Sequence, residues 1–263
     1  MKVAIAQFPV ARARINHNLE TIEARVAEAA SRGACLIILP EMATTGFDWA
    51  YNRSSLSAAE EAICTIAGFA SKYSIALCGS FLRGSEGAEP VNAMLYIDAE
   101  GRVRSQYNKI HLFSLFNEDR YMEAGQKPTV LETAEAIIGF SICYDLRFPE
   151  LFRKTTQMGA EVQILSAAFP HPRLSHWQTL LRARAIENQC YLIAANQCGY
   201  ESHGDEIAPA HYFGHSMVID PWGEVLAEAD EEERLMIAEI DLSRVSETRR
   251  KLPALRDRRP DLF

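Results

Sequence analysis

Apolar residues recur along this chain at two spacings, one that suits strands and one that suits helices, and the two alternate. Residues 2–8 alternate like a strand, and residues 18–32 then place Leu19, Ile22, Val26 and Ala29 on one helical face that ends at Gly33. The short apolar run CLIILP follows as a buried strand and stops at Glu41. Ser57 and Glu60 have the spacing of a capping box, after which Ile63, Ile66 and Ala70 continue a helix. The run SIALCGSF is the next strand, and residues 94–98 and 102–110 form a hairpin around Ala99, Glu100 and Gly101.

The second half repeats the order. Strands are predicted over 136–143, 161–166 and 191–196, with helices from Pro149 and over 175–188 between them. A hairpin of residues 215–220 and 224–228 closes it, and both hairpin turns read Ile-Asp-x-x-Gly. Alternation of this kind implies an α/β protein whose sheets are covered by helices. Two similar halves without a Pro/Gly/Ser-rich linker predict two sheets related by a pseudo-twofold axis, in a single domain over residues 1–263. Two long loops, 113–129 and 198–212, interrupt the order, and loops of that length are commonly functional or mobile.

Composition narrows the function. With 48% hydrophobic and 24% charged residues the chain can fill a core without disulfides or structural metal. A net charge of -8 argues against nucleic acid as a partner, and the Arg-rich stretch 249–259, interrupted by Asp257 and followed by Asp261, reads as an ion-pairing surface. No apolar run is long enough for a bilayer, and the first residues lack the pattern of an export signal, so a cytoplasmic address is expected. Six cysteines without a CxxC pair agree with reduced thiols.

Cys143 stands apart from the other five. GFSICYDLRFPE turns from strand to helix at this residue, where free N–H groups and the helix dipole favour a thiolate. The stretch lacks the second glycine of a serine elbow around Ser141. A cysteine nucleophile needs a base, and His111 and Glu41 are the candidates; a structural histidine and a capping carboxylate are the alternatives. Lys109 ends a strand in the same way as Glu41, with a snorkelling surface lysine as its alternative. Three reactive side chains at three strand ends match the way open α/β sheets build sites.

LPEMATTGF around Glu41, YNKIHLF around Lys109 and CYDLRFPEL around Cys143 resemble the three signature segments of the nitrilase superfamily of carbon–nitrogen hydrolases, in order and spacing. The likeness continues through SAAFPHPRLSHWQTLLRARAIENQCYLIAANQCG, GHSMVIDPWGEV and KLPALRDRRPDL, and is strongest to the Nit and ω-amidase branch. It implies a four-layer α-β-β-α sandwich, a homodimer, and a cofactor-free amidase acting on a small-molecule amide. By the same resemblance Cys143 attacks the carbonyl, Glu41 is general base and acid, and Lys109 with the Tyr144 backbone N–H holds the oxyanion. Glu118 matches a second active-site glutamate of the family, with Glu123 as its competitor.

Arg147 is a candidate anchor for a substrate carboxylate; the alternative is that it pairs with Asp145 or Glu150 to fix the turn. His211 and His215, with His203, Asp205 and Glu206 nearby, have a spacing seen in zinc sites, but a cysteine pair or HExxH helix is lacking, and no metal is expected.

Overall fold

Strands and helices alternate as expected in the computed structural model, which describes residues 1–84, 87, 89–201, 209–259, 261 and 262. The first half runs β1 (Lys2–Gln7), α1 (Ile15–Ser31), β2 (Leu36–Ile38), α2 (Trp49–Ser54), α3 (Leu56–Tyr73), β3 (Ala76–Arg83), β4 (Val91–Ile97) and β5 (Val103–Asn108). A connection holding α4 (Glu118–Tyr121) leads to β6 (Val130–Glu132), β7 (Ile137–Ile142), α5 (Pro149–Gln157), β8 (Val162–Ala167), α6 (Leu174–Asn188) and β9 (Tyr191–Asn196). Then come β10 (Cys198–Glu201), β11 (Ala210–Phe213), β12 (Met217–Ile219), β13 (Val225–Glu228), β14 (Arg234–Glu239) and α7 (Ser243–Lys251).

Two six-stranded mixed sheets result, ordered β14-β1-β2-β3-β4-β5 and β13-β12-β9-β8-β7-β6. In the first, β1, β2 and β3 are parallel and an antiparallel hairpin, β4–β5, extends β3. In the second, β7, β8 and β9 are parallel and β12–β13 extends β9. Each sheet also carries one antiparallel strand on its other side, β14 on β1 and β6 on β7. The repeated strand order is the pseudo-twofold relation read from the sequence. The two hairpin turns match in detail: Asp98 Oδ1 accepts from the N–H groups of Glu100 and Arg102, and Asp220 Oδ1 from those of Trp222 and Glu224. Gly101 and Gly223 take φ of 80° and 89°, which suits a residue without Cβ.

The period of two decides the layers. In β1, Val3 and Ile5 face a cluster shared with Phe140, Ile142 and Ile164 of the other sheet. Ala4 and Ala6 face outward, under Ile22 and Val26 of α1 and Ile63 and Ile66 of α3. Leu151, Phe152, Trp177 and Leu181 bring α5 and α6 onto the second sheet, completing the four layers. A slip of one residue in β1 would exchange its inner and outer sets, so the register is strongly specified.

Several expectations need correction. The capping box at Ser57 does not form: α3 begins at Leu56, and Glu60 Oε1 instead accepts from Arg83 Nε at 2.8 Å and Gly84 N at 3.1 Å. The start of α1 lies earlier than Asn18, whose buried amide bonds Ala11 N and O and Thr44 O, tying the helix to the segment after Glu41. Cys143 is not the last strand residue but opens a 3₁₀ turn, Cys143–Arg147. The loop 198–212 begins and ends in the antiparallel pair β10–β11, with 202–208 outside the described residues. The Arg-rich stretch does pair, Arg256 with Asp257 and Arg259 with Asp261. Among the described residues no helix is long and apolar enough to cross a membrane.

Candidate active site

The ends of β2, β5 and β7 bring Glu41, Lys109 and Cys143 to one place between the sheets. Just beyond β2, the Glu41 backbone N–H meets Ala167 O at the end of β8, and the side chain turns inward with no exposure. Its Oε1 accepts from Lys109 Nζ at 2.7 Å and Asn92 Nδ2 at 2.9 Å, and Oε2 accepts from Ala168 N at 3.0 Å. Lys109 is 1% exposed, so the snorkelling alternative fails, and Nζ also donates to Glu118 Oε2 at 2.6 Å.

Glu118 stands at the start of α4, in the connection 113–129. Its Oε2 accepts from Phe113 N at 2.8 Å and its Oε1 from Asn92 Nδ2 at 2.9 Å. Glu123, its competitor, is exposed. The connection is held against Lys109 at Gly125, whose N–H donates to Lys109 O at 2.8 Å and where a Cβ would lie 2.0 Å from Asn108 O. One cation between two buried carboxylates is a costly arrangement unless every donor and acceptor is paired.

Asn92 and Ser80 complete that pairing. The Asn92 amide serves both glutamates, its Oδ1 accepts from Ser80 Oγ, and Ser80 Oγ accepts from Met42 N at 3.2 Å. Both residues escape the pattern reading because they sit inside β3 and β4 among apolar neighbours. Their only signal is a polar side chain at a buried strand position, where burial without a partner is unfavourable.

Cys143 is 7% exposed and takes φ of 45°, a conformation that costs about 1–3 kcal/mol for a residue other than glycine. Asp145 braces this turn. Its Oδ2 accepts from Tyr107 Oη at 2.7 Å and Ile142 N at 2.9 Å, and its Oδ1 meets His111 N at 3.1 Å and the His111 ring at 2.7 Å. His111 also stacks on Phe148 with centroids 3.6 Å apart, which makes it a structural residue and leaves Glu41 beside the thiol.

Electrostatics overturn one expectation. Burial pushes the Cys143 thiol well above its ordinary value and the Glu41 charge adds to this, outweighing Lys109 and the Ala168 N–H. The resting group is therefore a thiol, not the thiolate favoured by a helix terminus. Burial also raises the Glu41 carboxyl, with Lys109 opposing and Glu118 adding. Burial disfavours charge on Lys109 as well, but Glu118 and Glu41 prevail and keep it protonated. The arrangement is a thiol beside a carboxylate able to take its proton, with a fixed ammonium next to both.

A small cleft opens beside the thiol, lined by Phe113, Tyr144, Arg147 and Phe169 among others. The Tyr144 N–H lies in the first turn of the 3₁₀ segment, where backbone donors lack intrahelical partners. Arg147 does not fix the turn through Asp145, which is already engaged. Its guanidinium lies 5.4 Å from the Phe169 ring centre, with Nη2 3.5 Å from His176 Nδ1.

His211 and His215 do not act together: His215 Nδ1 bonds Glu228 at 2.8 Å, while His211 approaches His171 and Glu231. The donor atoms of that trio lie within 4.8 Å of one another, with His171 Nε2 3.3 Å from Glu231 Oε1 and His211 Nε2 3.8 Å from Glu231 Oε2, and the trio lies at the partly exposed surface. His203, Asp205 and Glu206 lie outside the described residues.

Residues 2–250 match the family described as carbon–nitrogen hydrolase. The chain belongs to that family, within the nitrilase superfamily. It is 38% identical over 263 residues to the 2-oxoglutaramate amidase of Bacillus subtilis (strain 168), covering 99% of this chain and 98% of that one. It is 37% identical over 267 residues to the deaminated glutathione amidase of Mus musculus, covering 94% and 80% respectively. A solved variant of the amidase from Nesterenkonia sp. AN1 superposes with a TM-score of 0.88 at 28% identity, covering 100% of this chain and 98% of that one; acrylamide is added to its active-site cysteine. This carbon–nitrogen hydrolase is accordingly an amidase, cleaving non-peptide C–N bonds.

Proposed function

We propose that residues 1–263 act as one catalytic domain that hydrolyses the terminal amide of a small carboxylate-bearing molecule, with an ω-amide of a 2-oxo acid as substrate. The reading rests on one observation above all: the Cys143 thiol, the Glu41 carboxylate and the Lys109 ammonium meet in one buried network that Glu118 closes. Glu41 takes the thiol proton as sulfur bonds to the amide carbon, and the oxygen gains negative charge beside Lys109 Nζ and the Tyr144 N–H. Protonated Glu41 then gives that proton to the amide nitrogen, the C–N bond breaks and ammonia leaves a thioester on Cys143. Glu41 next removes a proton from water as it attacks the thioester, then returns that proton to sulfur as the C–S bond breaks, so the acid departs and the thiol is restored. Glu118 holds Lys109 in place, and Arg147 receives the substrate carboxylate.

Two kinds of relative support two substrates. The Bacillus subtilis protein is named for 2-oxoglutaramate and matches along almost its whole length. Deaminated glutathione, the substrate in the mouse relative's name, is the second reading, and N-carbamoyl amines are a further alternative. The six cysteines are free thiols, which supports a reducing cytoplasmic setting, and family resemblance supports a homodimer.

The test is release of acid and of ammonia or amine from these three substrate types, comparing the native protein with Cys143→Ala. The expected result is turnover of 2-oxoglutaramate that falls at least ~10³-fold in the variant. Activity surviving the substitution sinks the thiol mechanism. A folded native protein without activity on any amide instead favours a catalytically silent binding role.

A further inference from the structure

Arg173 stands on the wall of the cleft that holds Cys143 and Arg147. It is the residue just before α6, a helix of 15 residues whose first turn has no acidic side chain and no side-chain cap. Unpaired N–H groups and the positive end of the helix dipole therefore add to its charge. Arg173 Nη1 reaches only a carbonyl, His171 O at 3.4 Å, and Arg147 reaches the Phe169 ring and His176. Among the described residues neither guanidinium meets a carboxylate, although Asp and Glu outnumber Lys and Arg by 35 to 27 in this chain. Two half-buried, carboxylate-free guanidiniums beside one nucleophile call for an anion larger than a simple carboxylate.

We propose that Arg173 joins Arg147 in a two-guanidinium subsite that grips the 2-oxo acid head of the substrate and excludes the corresponding 2-ammonium compound. The inference rests on the ω-amidase reading and adds a residue and a selection rule to it. A carboxylate with a neighbouring keto oxygen presents three acceptors that can lie in one plane, more than one planar fork can satisfy. Arg147, oriented over Phe169, takes the carboxylate; Arg173 bridges a carboxylate oxygen and the keto oxygen. Phe113 and Tyr144 give the rest of the cleft an apolar wall suited to methylene groups. An amino acid amide such as glutamine would bring an ammonium against both cations and the helix N-terminus, and like charges placed together are strongly disfavoured.

The experiment compares the native protein with Arg173→Ala and Arg173→Lys on 2-oxoglutaramate, glutaramate, which has the carboxylate but no keto oxygen, and L-glutamine. Arg173→Ala is expected to raise KM for 2-oxoglutaramate by about 10–100-fold with kcat changed much less, as for loss of a hydrogen bond to a charged group. Its preference for 2-oxoglutaramate over the other two is expected to fall by about tenfold or more, and Arg173→Lys to restore part of it. Equal losses on all three amides, or no change in KM, overturn the proposal. Calorimetric binding of 2-oxoglutarate to the native and Arg173→Ala proteins separates this inference from the activity. If no amide is turned over, the ω-amidase reading falls, yet a Kd about tenfold weaker in the variant still supports the subsite. An equal Kd overturns it.

Discussion

Lys109→Met removes the one cation from a pair of fully buried carboxylates while keeping most of the side-chain volume. In the native protein Nζ lies 2.7 Å from Glu41 and 2.6 Å from Glu118, and Asn92 donates to both at 2.9 Å. Taking one partner from a buried ion pair costs about 3–5 kcal/mol, because the charge left behind has lost both water and counter-ion. At about 2–4 °C per kcal/mol for a chain of this size, the melting temperature should fall by about 6–20 °C.

The loss depends on pH, and its sign follows from the proton count. Without Lys109 to oppose burial and the Glu118 charge, the Glu41 carboxyl keeps its proton in the folded protein, whereas the unfolded chain releases it near the ordinary value of about 4.3. A carboxyl raised in the folded state stabilises most below that value and loses its contribution as pH rises toward the folded pKa. The slope is about 1.4 kcal/mol per pH unit for one proton. Urea midpoints followed by circular dichroism at pH 5.5, 7 and 8.5, at fixed protein concentration, should show the deficit of Lys109→Met growing with pH. Adding Glu118→Gln should recover about 1–3 kcal/mol and flatten the slope. A variant within 1 kcal/mol of the native protein at pH 7, or further destabilised by Glu118→Gln, would refute a network built on charge compensation.

The acid side of the activity profile and the nucleophile turn give two more checks. In the proposed mechanism Glu41 is ionised when it takes the thiol proton, and its carboxyl is raised by burial, so kcat/KM should fall with decreasing pH through a midpoint above the ordinary 4.3 or so. Glu41→Gln should lower kcat at least ~10²-fold and remove that limb, and an unchanged limb would assign it elsewhere. Asp145→Ala strands the buried Tyr107 hydroxyl and the Ile142 N–H, so it should cost about 2–4 kcal/mol by thermal melting and lower kcat by loosening the Cys143 turn. Asp145→Asn, which keeps an acceptor, should lose less; equal losses would argue that shape rather than hydrogen bonding holds the turn.

What the sequence alone determined was local, or carried by recognisable motifs. Apolar spacing located β1, β7, β8, β9 and the helices packed on them, because burial on one face leaves its period in neighbouring residues. Glu41, Lys109 and Cys143 were visible as reactive residues where apolar runs end, and the segments around them named the superfamily.

Only the tertiary structure decided the remainder, and distance along the chain is the reason. β14 pairs with β1 from the far end of the sequence, and Lys2 opposite Glu239 leaves no local trace of that register. Asn92 and Ser80 are polar side chains at buried strand positions, and the groups that complete their network, Glu41 and Glu118, come from other parts of the chain. Burial reversed the expected state of Cys143, since solvation depends on everything packed around a group and not on its place at a strand end. For the same reason Arg173, ordinary in a row of prolines and histidines, became a candidate for selectivity only once the fold set it beside Arg147 in the cleft.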